Sequence, residues 1–200
     1  MTSNDIVRRC VAEFVGTAFL LAIIVGSGTM GDHLSGGNGA LALLANSLSV
    51  GFGLAVLILV FGPVSGAHFN PVITLVEAWQ NGMQRRLAPG YLLAQFSGAL
   101  AGVLLAHAMF LEKAGFSLSR NPRSGPGMWL SEFIATFGLL AVVAGCARYR
   151  PGAAPAAVGA YIASAFWFTP STSFANPAVT VARAFTDTFT GIQPQDVAGF

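Results

Sequence analysis

Charge is what this chain has least of. Of 200 residues, 18 are charged (10 Lys/Arg and 8 Asp/Glu), or 9%; a soluble globular chain of that length carries about 50. That scarcity, beside 54% hydrophobic residues, excludes a disordered chain, a soluble enzyme of ordinary composition and a nucleic-acid binder. The net charge of +2 is too small to argue for an acidic partner. Cysteine is also scarce: Cys10 and Cys146 make neither a disulfide framework nor a metal site, and they read as reduced thiols. Glycine, by contrast, is abundant at 24 residues, which suits closely packed membrane helices.

The uncharged stretches are long. Residues 33–76 form a run of 44 without Asp, Glu, Lys or Arg, and the runs 87–111, 133–147 and 151–182 follow. About 20 apolar residues cross the hydrocarbon core of a bilayer, so the chain reads as a polytopic membrane protein. Spans are expected at 14–30, 40–61, 90–111, 127–147 and 153–168. Arg8 and Arg9 before an apolar stretch imitate a signal peptide, but the same stretch recurs later, and a repeat unit is not a cleaved leader. Arg8, Arg9, Arg85, Arg86, Arg148 and Arg150 fall on one side of this arrangement, against Lys113, Arg120 and Arg123 on the other. The excess predicts a cytoplasmic N-terminus.

Residues 13–26 read EFVGTAFLLAIIVG and residues 132–145 read EFIATFGLLAVVAG, identical at seven of fourteen positions. The Asn-Pro pairs repeat as well, in Asn70-Pro71-Val72-Ile73-Thr74 and Asn176-Pro177-Ala178-Val179-Thr180. The first copy starts inside and the second, three spans later, starts outside. The repeats are therefore expected to be inverted, a plan that builds sites at the membrane midplane. One domain, 1–200, is expected, with a first repeat at about 7–111 and a second at about 128–200.

Asn caps the free N–H groups of a helix start, and Pro is preset for the first helical position. A third pair, Asn121-Pro122, lies in a polar loop and reads as a turn. The other two open short helix-competent stretches, 71–79 and 177–185, too short to span. They read as half-helices that enter from opposite sides and meet near the bilayer centre. Their facing N-termini, each worth about +0.5 charge, would repel cations and protons. The Asn side chains would donate hydrogen bonds to a neutral solute. Irregular backbone at this depth is tolerated only around a cavity or inside protein.

This constellation resembles the aquaporin, or major intrinsic protein, family. The resemblance rests on Ala12-Glu13-Phe14-Val15-Gly16-Thr17, Ser65-Gly66-Ala67-His68-Phe69-Asn70-Pro71-Val72, Ser131-Glu132-Phe133 and Asn176-Pro177-Ala178. It implies an all-α, aquaporin-like membrane fold of five transmembrane helices plus two half-helices. It also implies a homotetramer whose subunits each carry a pore for water or small neutral solutes, with no cofactor and no energy coupling. The resemblance gives Glu13 and Glu132 the task of bracing the re-entrant loops; a charge inside a span is otherwise expensive. His68, two residues before Asn70, either lines a pore mouth or packs. His107 reads as packing, and Trp79, Trp129 and Trp167 as interface or packing residues.

The sequence departs from the family pattern at two places. Most members carry Arg directly after the second Asn-Pro-Ala; here that residue is Val179, and Arg183 follows one turn later. The remaining constriction positions are matched by Phe52, by Ser164 or Ala165, and by Ser173. A Phe, two small residues and a Val predict a wide, uncharged constriction that passes glycerol-like polyols or metalloid hydroxides such as arsenous acid. Similarity to bacterial members linked to arsenic resistance points the same way and to the cell (inner) membrane. Secondly, the repeat calls for a sixth span after Gly199-Phe200, so the second repeat is expected to be incomplete. The alternative reading that follows is a truncated, non-conducting membrane protein that associates with full-length subunits. No metal-ligand spacing, nucleophile elbow or phosphate loop suggests an enzyme.

Overall fold

The computed structural model describes residues 2–110 and 115–200. Regular structure among these residues is helical throughout. The long helices are α1 (Ser3–Leu34), α2 (Gly39–Ser65), α4 (Ala88–Phe110), α5 (Pro126–Tyr149) and α6 (Ala154–Phe168), with two short ones, α3 (Pro71–Trp79) and α7 (Pro177–Arg183), set between them. Four segments, α1, α2, Arg85–Phe110 and α5, are long and apolar enough to cross a membrane. At 15 residues α6 is about 22 Å long, and the 3-10 turn Pro151–Ala153 precedes it. The expected end of the third span at Leu111, and Lys113 of the expected outer set, lie outside the described residues.

Helix ends follow local chemistry more than the apolar runs do. The start of α1 lies well before residue 14 because Thr2 and Asp5 form a reciprocal capping box there. Asn38 caps α2 through Ala40 N and Leu41 N, and Gly66, at φ 95°, ends it in the left-handed conformation that glycine adopts without cost. Beyond Arg183, α7 tightens into i→i+3 bonds from Ala184 N to Val181 O and from Phe185 N to Ala182 O. The second half-helix is therefore two residues shorter than the 177–185 expected from its sequence.

Small residues allow the long helices to touch backbone to backbone. A Cβ at Gly98 or Gly102 of α4 would overlap the carbonyl oxygens of Phe14 or Ala18 on α1. Gly51 of α2 and Gly159 of α6 face each other in the same way. Lipid tails are as apolar as leucine, so this close van der Waals approach, with buried hydrogen bonds, is what associates helices in a membrane. Asn46 supplies such bonds between α2 and α1, to Ile24 O and Ser27 Oγ, both at 2.9 Å. Tyr91 of α4 donates to Ser65 O at 2.7 Å and holds the end of α2 beside the entry of α3. Gly102→Leu is expected to force α1 and α4 apart and to destabilise the chain by about 1–3 kcal/mol or more, read as a lowered midpoint of thermal unfolding in detergent.

Candidate functional site

Two carboxylates shape the centre of the bundle. Glu13 of α1 is fully buried. Its Oε1 accepts from Ser65 Oγ (2.6 Å) and His68 N (3.0 Å), and its Oε2 from Phe69 N (2.7 Å) and Gln95 Nε2 (2.8 Å). Glu132 of α5, 4% exposed, accepts from Phe174 N (2.9 Å) and Ala175 N (2.7 Å). Each carboxylate thus holds the two residues before an Asn-Pro pair. Hydrogen bonds to a buried carboxylate are among the stronger ones. Here they stabilise backbone that would otherwise relax: Ala67, Phe69, Ser173 and Ala175 all sit near φ +50°, a region that costs a non-glycine residue about 1–2 kcal/mol.

The asparagines then lock the half-helices together. Asn70 Oδ1 caps Val72 N at 2.9 Å, while its Nδ2 donates to Ala175 O at 2.7 Å. Asn176 Oδ1 caps Ala178 N and Val179 N, while its Nδ2 donates to Phe69 O at 2.7 Å. The bonds cross, each amide reaching the loop of the other half, so the N-termini of α3 and α7 face each other. One N–H of each amide is used in the crossing. Both asparagines border a cavity of about 420 Å³. Pro71, Val72, Pro177 and Ala178 lie behind them, outside its lining.

The cavity has an apolar wall and polar ends. Val50, Leu54 and Ile58 of α2 and Val158, Ile162 and Phe166 of α6 line it together. His68 lies toward one end with Arg9 and Glu77; Ser173, Phe174, Val179 and Arg183 lie on the side of the second loop. His68 Nδ1 is 3.0 Å from Thr74 Oγ1. Arg183 is 2% exposed, donates through Nε to Thr190 O, and holds its guanidinium carbon 3.4 Å from the Phe174 ring centroid. Ser173 Oγ is buried without a hydrogen-bond partner among the described residues.

Three expected constriction residues are misplaced. Phe52 is 71% exposed on the outside of α2. Two residues turn a helix by about 200°, and Val50 occupies the inward face instead. Ser164 is exposed and bonds Ala160 O within its own helix. Ala165 is buried but outside the lining, where Ile162 and Phe166 stand. Ser173 and Val179 do border the cavity. So does Arg183, whose charge means that this part of the cavity is not uncharged as expected. Phe174 also borders the cavity, and Arg123 supports it from outside the lining; the sequence marks neither for the site. Phe174 occupies the place in its loop that His68 occupies in the other, which the alignment of the two Asn-Pro pairs could have shown. Arg123, from the loop before α5, donates to Gly191 O (2.9 Å) and Ser171 O (3.1 Å), with its guanidinium 5.1 Å from the Phe174 ring. Burial lowers its affinity for a proton, and Glu132 acts in the opposite sense.

Long apolar helices around two half-helices, joined tip to tip beside a cavity, define a multi-pass membrane protein of channel architecture. The chain belongs to the major intrinsic protein family: the family's sequence model, described as Major intrinsic protein (MIP), matches residues 1–191. It is 50% identical over 200 residues to aquaglyceroporin AqpS of Rhizobium meliloti, a match that spans all of this chain and 85% of that protein. It is 34% identical over 204 residues to the lens fiber major intrinsic protein of Gallus gallus, covering 94% of this chain and 75% of that one. The X-ray structure of the aquaglyceroporin from Plasmodium falciparum shares the fold, with a TM-score of 0.67 at 24% identity over 96% of this chain and 87% of that one. Members of this family are channels and not enzymes.

Glu132→Ala is expected to remove two charge-assisted bonds, at a cost of about 3 kcal/mol. Glu13→Ala, which removes four, is expected to cost more. Unfolding midpoints of the two variants, measured side by side in one detergent, check that order.

Proposed function

We propose that the chain is a passive channel for water and for small neutral solutes larger than water, such as glycerol-like polyols and metalloid hydroxides including arsenous acid. The observation that carries this reading is the cavity that passes both Asn amides and has Val179, not an arginine, directly after the second Asn-Pro-Ala. A solute entering it exchanges water for the free N–H of Asn70 and of Asn176, while its carbon face lies against the aliphatic wall. Both half-helix N-termini point at the same place, each worth about +0.5 charge, so a cation meets a barrier that a neutral hydroxyl does not. Arg183 adds a fixed positive charge one turn beyond Val179 and leaves the space beside Val179 open.

The same reading takes the protein as a homotetramer in the cell inner membrane, with the N-terminus cytoplasmic and Arg183 toward the outside. It also gives Glu13 and Glu132 the task of bracing the re-entrant loops, and His68 a place at the inner mouth.

Proteoliposomes shrunk in a glycerol gradient and followed by light scattering test the proposal. The expected result is glycerol permeability well above that of empty vesicles, lowered by Val179→Arg about tenfold, the order that a change in pocket size gives, with a smaller change for water. Glycerol and arsenite fluxes that ignore Val179→Arg would remove the wide-filter reading. Permeability equal to empty vesicles would leave the non-conducting alternative.

A further inference from the structure

His107 lies in α4, away from the cavity lining, and is 4% exposed. Both ring nitrogens are engaged. Nδ1 is 2.7 Å from Gly115 O, and Nε2 is 2.8 Å from Thr186 Oγ1. A carbonyl oxygen can only accept, so Nδ1 carries a proton. In the neutral ring Nε2 is then an acceptor, and Thr186 donates to it. Thr186 Oγ1 lies 3.1 Å from Thr188 Oγ1, which lies 3.2 Å from Thr190 Oγ1. With Thr186 committed to the imidazole, Thr188 donates to Thr186 and Thr190 to Thr188. Three hydroxyls thus point one way along the segment, and the histidine sets their direction.

That segment carries the carbonyl that holds Arg183. Thr190 ends the hydroxyl chain through its side chain and accepts Arg183 Nε through its main chain. The segment is fastened at other points as well: Ile192 N donates to Arg183 O (3.2 Å), and Asn121 Nδ2 donates to Thr188 O (2.6 Å). On its inner side Thr190 rests against Gly28 of α1, where any Cβ would strike its methyl group. Thr190 therefore has little room, and the hydroxyl chain is the contact that engages its side-chain oxygen.

We propose that His107 is a positioning residue for Arg183, acting through Thr186, Thr188 and Thr190 to fix where the guanidinium stands in the cavity. Its consequence for selectivity rests on the channel reading above; the geometric claim does not. Loss of the acceptor at Nε2 frees Thr186, removes the common direction of the hydroxyls and lets Thr190 and Arg183 shift together.

The test compares the unsubstituted chain with His107→Phe, which keeps a ring but no acceptor, and His107→Gln, which restores an acceptor at that place. Phenylglyoxal labelling of Arg183 in detergent, read by mass spectrometry, needs no conduction. It is expected to rise about fivefold in His107→Phe, the factor one hydrogen bond is worth, and to fall back in His107→Gln. In proteoliposomes, His107→Phe and Arg183→Val are expected to move the glycerol-to-water permeability ratio in the same direction, and the double variant no further than Arg183→Val alone. Labelling unchanged in His107→Phe overturns the proposal. So does a loss of thermal stability that lowers both permeabilities in proportion with labelling alike in Phe and Gln variants, since a merely structural histidine does that. Should the unsubstituted chain conduct no better than empty vesicles, the channel reading falls, and the labelling still decides the positioning.

Discussion

The arrangement depends on buried carboxylates that form no direct salt bridge among the described residues. Glu13 and Glu132 are compensated by hydrogen bonds, chiefly from backbone N–H groups of the loops they hold. An unpaired charge in this setting is expensive, and so is a run of non-glycine residues at positive φ. Each difficulty relieves the other. The loop must adopt its strained shape to bring two successive N–H groups to one carboxylate, and the buried carboxylate oxygens need those donors in place of water. Once the N–H groups turn toward the glutamate, the carbonyls of Phe69 and Ala175 turn the other way, where the crossed asparagines meet them.

The two halves use this device unequally. Glu13 gains Ser65 Oγ and Gln95 Nε2 beyond its two backbone donors, and Gln95 bonds Thr74 of α3 as well. The first half-helix is thus tied to α4 by side chains. The second is tied through the segment that follows it, by Arg123, Asn121 and the threonines. Position for position His68 faces Phe174: an imidazole in one loop, and in the other a ring that carries Arg183 on its π-face. Two ends of one symmetric frame therefore present different chemistry.

Those features that cost free energy in a bilayer were legible in the sequence. Long uncharged runs marked the spans, the two glutamates stood out as charges inside them, and Asn-Pro located both half-helices to the residue at their starts. Rotation of the helices was not legible. Segments such as α2 are apolar on all sides, so no polar face reports which way they turn, and Phe52 was placed inward where Val50 stands. Nor did anything in the residue types mark Phe69 or Ala175 as left-handed, since neither is glycine; their N–H groups are held from 40 or more residues away by Glu13 and Glu132. The roles of Phe174, Arg123 and His107 likewise come from segments distant in sequence.

Moving the arginine by one turn has a physical consequence that its mere absence after Asn-Pro-Ala would not. At position 179 a guanidinium would stand beside the free asparagine amides and narrow the space there. At 183 it is about 5–6 Å further along the axis of α7, drawn to Thr190 O and laid on the Phe174 ring. The positive potential that discourages cations falls off slowly over such a distance in a low-dielectric surround, whereas steric exclusion ends within van der Waals contact. Charge and bulk are thereby separated: Val179 borders the cavity with an aliphatic side chain, while the guanidinium stands one turn further along α7.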